Sequence, residues 1–255
     1  MTSHQEIIID QFTRQAIPFT QVPAHSNEES LRLLIQVARL FHEDDVLDVA
    51  CGSGIVACAF APLANHVTGI DITPAMLEQA QSMAEQRGLS NLTWQQGDIE
   101  SLPFADARFS LVLSRYAFHH FLSPKVVLEE MIRVCRPGGR ILIADVALPP
   151  EKVEAYNALE KLRDPSHTRA LTLEDFQSLF SQTNLQNVRL NFYKVEIPVE
   201  QQLAASFPNP GDIDRIRQLV RDDLEVNHLG INAHLRDDEI WYEVPISVIV
   251  AEKLM

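Results

Sequence analysis

The residues of this chain best suited to chemistry are acids and histidines placed at the ends of apolar runs. Asp48 lies in LDVACGSGIVA (47–57), Asp71 in VTGIDIT and Asp98 in GDIESLPF. Tyr116, His119 and His120 stand together in SRYAFHHF, directly after the apolar run FSLVLS. Asp145 sits near the end of GRILIADVAL, and Arg163, Asp164, His167 and Arg169 gather within EKLRDPSHTRAL (160–171). A carboxylate at a strand end can accept both hydroxyls of a ribose. A histidine can take up a proton near neutral pH. Gly52 and Gly54 allow a tight turn and close backbone approach before a helix, whose first N–H groups suit an anionic group. Gly52 to Ala57 also fits the dinucleotide pattern GxGxxG/A, so the glycines alone leave several nucleoside ligands open.

These residues need a scaffold, and the pattern between them predicts one. SNEESLRLLIQVARLF (26–41) reads as an amphipathic helix with Ser26 as its N-cap and Glu29 three residues later. Short apolar runs at 45–50, 66–71, 92–98, 109–114 and 139–148 alternate with helical segments at 54–63, 74–87 and 124–135. Apolar strands alternating with helices predict a parallel sheet covered on both faces. After Pro149–Pro150 come helices at 151–163 and 172–182, then strands at 188–199 and 239–254. The expected fold is a doubly wound, Rossmann-like α/β domain with a mostly parallel seven-stranded sheet and a C-terminal antiparallel hairpin. One domain is expected over 1–255. It comprises an N-terminal lid segment (1–27, with Phe12 and Phe19), a ligand-binding core (28–147) and a C-terminal part (148–255) whose hairpin connection, 200–238, is enlarged into a helical cap.

The three acids decide between ligands. In a parallel sheet the carboxyl ends of neighbouring strands border one crevice, so Asp48, Asp71 and Asp98 are expected to face the same ligand. They would repel a pyrophosphate. They suit S-adenosylmethionine (SAM), which offers a sulfonium, an ammonium, a ribose diol and an adenine amino group against one carboxylate. That carboxylate is expected at the helix N-terminus after Gly52-Ser53-Gly54.

The ordered set LDVACGSG, GIDIT, GDIESLPF, FSLVLSRYAFHHF and VCRPGGRILIAD resembles the class I SAM-dependent methyltransferases, and within them the branch of ubiquinone/menaquinone C-methyltransferases. The resemblance covers residues 30–147. It implies that Ala50, Gly52 and Gly54 flank the methionine moiety and that Asp48 holds its amino group. It further implies that Asp71 binds the ribose, with Ile72 and Met76 near the adenine. Asp98 and Ile99 would bind the adenine amino group and ring, and Ser114 and Arg115 would border the methionine end through backbone groups. Pro137-Gly138-Gly139 would be a structural turn before the fifth strand. The segment 160–171 also resembles a stretch in bacterial relatives.

Methyl transfer is an in-line displacement, so a general base is needed only where the acceptor carries a proton that must leave. Tyr116, His119 and His120 are the catalytic candidates, with at most one histidine expected to face the substrate. Asp145, His167 and Arg169 are candidate substrate contacts. The partner implied is a small-molecule methyl acceptor, with a quinol or other aromatic favoured by the resemblance, and S-adenosylhomocysteine (SAH) as coproduct. A net charge of −14 argues against a nucleic-acid partner. The N-terminus lacks a signal-peptide pattern and no apolar stretch approaches the roughly 18 residues of a membrane span, so a cytoplasmic location is the expectation. Cys51, Cys58 and Cys135 lack CxxC spacing, which speaks against a disulfide framework or a metal site. A homodimer is an open option. Two alternatives stand beside the methyltransferase. An NAD-dependent oxidoreductase would keep the glycine turn and Asp71 but leave Asp98 and the PGG turn unexplained. A non-catalytic SAM-binding protein would keep the cofactor half alone.

Overall fold

The computed structural model describes residues 3–255. The first helix, α1 (His4–Gln21), is started by a capping box: Ser3 Oγ accepts from the Glu6 N–H while the Glu6 carboxylate accepts from the Ser3 N–H. Helix α2 (Glu28–Ala38) follows, capped not by Ser26 but by Asn27, whose Oδ1 accepts from the Ser30 N–H at 3.0 Å. Asparagine and serine cap about equally well. Here Pro23 initiates a 3-10 turn that runs through Ser26 and uses that residue up.

Next come β1 (Asp45–Val49), α3 (Ile55–Phe60), β2 (His66–Asp71), α4 (Pro74–Gln86), β3 (Leu92–Gln96), β4 (Phe109–Arg115), α5 (Pro124–Val134) and β5 (Cys135–Val146). The five strands pair in parallel in the order β3-β2-β1-β4-β5. The rest is α6 (Pro150–Arg163), α7 (Leu173–Ser181), β6 (Leu185–Pro198), α8 (Val199–Ala204), α9 (Asp212–Asp222), β7 (His234–Arg236) and β8 (Glu239–Lys253). Strand β8 runs antiparallel between β5 and β6. The sheet has eight strands among the described residues, one more than expected. The extra strand, β7, forms a two-residue hairpin with β8 through Asp237 and Asp238, whose φ values are 50° and 63°. Two consecutive positive φ angles give the turn that matches strand twist. Three-residue strands leave too little periodicity to read, which is why 200–238 looked helical throughout.

Side chains of the parallel strands alternate between two cores. Val46, Leu111, Leu113 and Leu142 face α2, α3 and α6, whereas Leu47, Val112, Ile141 and Ile143 face α5 and α7. All are fully or almost fully buried, and each contributes about 1.5–3 kcal/mol by leaving water. At the N-terminal end of the sheet, buried Asp44 is held by Arg140, by Ser110 Oγ at 2.6 Å and by the Phe41 N–H at 2.8 Å. The opposite end opens at the point where the chain leaves β1 for one side and β4 for the other, the crevice in which doubly wound sheets bind ligands. Among the described residues no helix is long and apolar enough to cross a membrane.

Candidate functional site

A cavity of about 450 Å³ fills that crevice, a volume within the range of small-molecule sites. The loop after β1 forms its floor, with Ala50 and Gly52 both in the left-handed region at φ 56° and 52°. A Cβ built on Gly52 would meet nothing within 4 Å, because the space above it belongs to the cavity. Gly54 has a different job. A Cβ there would lie 2.7 Å from both Ala80 Cβ and the Trp94 ring, so this glycine lets α3 pack against α4 and β3 and does not line the cavity.

Asp71 lines the cavity at the end of β2. Its oxygens accept from the Gly52 N–H at 2.8 Å and the Thr73 N–H at 2.9 Å. Burial pushes its carboxyl above the usual range, against the opposing pull of these two donors. Fixed from behind, the carboxylate keeps free lone pairs for a ligand. The Gly52 N–H is thereby committed to Asp71, and the Gly54 N–H goes to the Cys51 carbonyl. Neither is free for the ligand carboxylate that the sequence placed at this helix start. Ile72, Met76 and Ile99 supply an apolar wall beside Asp71. Asp98 lies two residues beyond β3 and lines the cavity too, where Oδ1 caps the Glu100 N–H and Oδ2 accepts from Gln5 Nε2 at 3.1 Å.

Asp48 does not line the cavity. It is buried beneath the floor, with Oδ2 lacking any partner among the described residues, and burial pushes its carboxyl up to about 7, with the Asp71 charge adding to the effect. Convergence of the three acids on one ligand is therefore corrected to two at the surface and one below. Ser114 is likewise buried outside the cavity, its Oγ unpartnered among the described residues. Arg115 lines the cavity. Its guanidinium donates to the His25 carbonyl at 3.0 Å and to Tyr116 Oη at 3.0 Å, and sits 4.2 Å from the Tyr116 ring centroid. Tyr116 is in turn fixed by the Tyr193 hydroxyl, which donates to it at 2.8 Å.

His119 and His120 form a short 3-10 turn after β4, and both border the cavity, where at most one was expected. His119 Nδ1 donates to Asp145 Oδ1 at 2.7 Å, which leaves Nε2 for a ligand. Burial pulls the His119 pKa down, but the Asp145 charge and hydrogen bond outweigh it and the net shift is upward. Asp145 stands behind the histidine, outside the cavity lining, and also accepts from the Phe118 and Val146 N–H groups at 2.8 Å each. His120 Nδ1 donates to the Ser166 carbonyl at 3.1 Å, and burial lowers its pKa to about 4, helped by the His119 charge.

His167 and Arg169 are not in the cavity. His167 Nε2 donates to Asn157 Oδ1 at 2.8 Å, and Arg169 pairs with Asp175 on the surface. Their segment serves His119 by another route: the Thr168 N–H, the Thr168 hydroxyl and the Arg169 N–H all donate to the His119 carbonyl, at 2.9, 2.7 and 3.1 Å.

Helix α1 closes the top. Phe12 and Phe19 line the cavity, Gln15 donates to Asp164 at 3.2 Å, and His4 donates to the His120 carbonyl at 2.8 Å. Tyr156, Glu160, Gln202 and Tyr242 also line it and were missed in the sequence. The signal for two of them was present. Tyr156, Glu160 and the already noted Arg163 follow i, i+4, i+7 spacing on one face of α6.

A Rossmann-like sheet with this cavity at its switch point is an arrangement that binds nucleoside-type ligands. The family described as "Methyltransferase domain" matches residues 40–194, and the chain belongs to it. It is an enzyme, and membership implies SAM as methyl donor, so an oxidoreductase and a non-catalytic binder are set aside. The chain is 38% identical over 176 residues to YcgJ of Bacillus subtilis, an uncharacterized methyltransferase, covering 68% of this chain and 70% of that one. The crystal structure of YcgJ superposes with a TM-score of 0.82 at 30% identity, covering 90% of this chain and all of that chain. A phosphoethanolamine N-methyltransferase of Haemonchus contortus, solved with phosphomonomethylethanolamine and SAH, shares the fold. There the TM-score is 0.66 at 16% identity, covering 91% of this chain and 54% of that chain.

Proposed function

We propose that the cavity binds SAM along the β1 and β2 strand ends and transfers its methyl group to a small-molecule acceptor held under α1. The residues present fit the cofactor. Gly52 leaves open space where a side chain would block it, Asp71 offers a preset carboxylate to the ribose, and buried Asp48 below favours a cationic ligand. Ile72, Met76 and Ile99 flank the adenine, with Asp98 near its amino group. When bound, SAM supplies an activated methyl on a sulfonium leaving group.

The chain's own residues then have three tasks. Phe12, Phe19 and the rest of α1 exclude water, and the enclosing walls align acceptor and methyl. His119 Nε2 takes the proton that a phenol, enol or ring carbon must lose, and Asp145 holds the ring in the tautomer that leaves Nε2 unprotonated. Tyr116, locked by Arg115 and Tyr193, shapes the wall beside them. The single observation carrying this reading is the His119–Asp145 pair opening on the same cavity as Asp71. An aromatic, quinol-type acceptor accords with the largely apolar walls and with the resemblance to the ubiquinone/menaquinone branch.

Calorimetric titration with SAM, SAH and NAD tests the cofactor half. SAM and SAH should bind and NAD should not. Asp71→Ala should weaken SAM by removing hydrogen bonds to a charged group, each worth about 1.5–3 kcal/mol. Unchanged affinity in a folded variant would place the ribose elsewhere.

A further inference from the structure

Beyond the cofactor half the cavity reaches a polar end that methyl transfer itself leaves unused. Tyr156, Glu160 and Arg163 of α6, Gln202 of α8 and Tyr242 of β8 line it. They form one cluster: Arg163 donates to Ser206 Oγ at 3.0 Å, Ser206 Oγ donates to the Gln202 carbonyl at 2.7 Å, and both tyrosines lie within the Coulombic reach of Glu160 and Arg163.

The polar atoms are of two kinds. Arg163 and Glu160 satisfy one another, Nε and Nη2 donating to the two carboxylate oxygens at 2.6–3.1 Å. The tyrosine hydroxyls do not share in this. Tyr156 and Tyr242 are 4% and 6% exposed, yet neither hydroxyl has a protein partner among the described residues. Gln202 Oε1 is buried without one as well. Of these only the Gln202 oxygen is itself fully enclosed, and buried polar atoms are almost always paired; with two partnerless hydroxyls on the same cavity wall it calls for a ligand that pairs them.

We propose that Tyr156, Tyr242 and Gln202 form an acceptor-anchoring subsite for an uncharged hydroxyl group remote from the methylated atom. The proposal rests on the reading of this cavity as a methyl-transfer site. A hydroxyl can accept from a tyrosine and donate to the Gln202 carbonyl oxygen at once. An anionic group fits poorly, because the Arg163 charge is already matched by Glu160 and Asp164 adds a second carboxylate nearby. An ammonium finds the Glu160 charge already matched by Arg163. Burial keeps both phenols far above their usual range, so they stay neutral donors.

Four phenols that differ only in the far group test this: 4-(2-hydroxyethyl)phenol, 4-ethylphenol, 4-hydroxyphenylacetate and 4-(2-aminoethyl)phenol. Each is titrated calorimetrically into protein saturated with SAH. The alcohol should bind about tenfold tighter than 4-ethylphenol, as one or two neutral hydrogen bonds allow, and tightest of the four. That preference should vanish in the Tyr156→Phe/Tyr242→Phe double variant and in Gln202→Leu, while SAH affinity holds. Melting temperature should stay level or rise in the phenylalanine variant, since the lost hydroxyls bond to nothing in the protein. The subsite is overturned if the carboxylate or amine probe binds tightest, if the variants keep the preference, or if SAH-saturated protein binds none of the four. Failure of SAH to bind would instead overturn the cofactor reading, and the subsite with it.

Discussion

His119 and His120 are neighbours in the chain and both border the cavity, yet their surroundings set them apart. His119 has a carboxylate behind it and a raised pKa, whereas His120 faces a carbonyl and is pushed down to about 4. A base must be neutral to act, so with an acceptor that has to lose a proton the rate should climb with pH and level off above the raised pKa of His119. His119→Ala should lower turnover by about 10²–10⁴-fold while sparing SAM affinity. Asp145→Asn should move the inflection to lower pH and cut the plateau. A pH–rate profile unmoved by Asp145→Asn would assign the proton to another group. At this scale the polar residues ending apolar runs were informative in part: Asp71, Asp98, Tyr116 and both histidines reach the cavity, whereas Asp48, Ser114 and Asp145 lie behind it. It was silent on pairing. Asp145 and His119 are 26 residues apart, and nothing local announces that one orients the other.

Among the elements, the loop from β1 into α3 carries two glycines with opposite duties. Gly54→Ala would drive a methyl into Ala80 and Trp94 at φ 76°, which should cost roughly 1–3 kcal/mol of stability by overpacking, with strain added. Gly52→Ala, open on its cavity side, should cost less stability but more SAM affinity. Paired thermal melts and SAM titrations separate them, and equal losses in both readouts would merge the two roles. Alternating strands and helices through β5 were legible because each is long enough to show its period. Strand β7 and the cap of α2 were not, since a three-residue strand and two adjacent good cap residues leave no local contrast. Within 160–171, His167 and Arg169 read as substrate contacts because of their polar and charged ends. Tertiary context turned those ends to Asn157 and Asp175 and used the backbone between them to pin His119.

For the molecule as a whole, three buried histidines set the response to acid. Burial lowers His25 and His120 to about 4 and His167 to about 2, so all three are neutral when folded and take protons near 6.5 when unfolded. Their contribution is complete above about 6.5 and is lost as pH falls toward the folded values, by roughly 1.4 kcal/mol per histidine per pH unit. Asp48, raised to about 7, and Asp71, also raised by burial, work the other way, but they are two groups against three. His119 adds no slope below 6.5, because its stabilisation is fully present there and fades only as pH rises through its raised value. Melting temperature should therefore drop between pH 7 and pH 5, and a flat profile would mean the histidines are not held neutral. The fold class and the cofactor were legible from the order of five motifs. The acceptor end, assembled from α1, α6, α8 and β8, was not, because its residues are scattered over the length of the chain. The most direct test of the account is a crystal structure with SAH bound. It should place the ribose hydroxyls on Asp71 and the open side of the sulfur toward His119 Nε2. A ribose bound away from Asp71, or a sulfur facing away from His119, would contradict it.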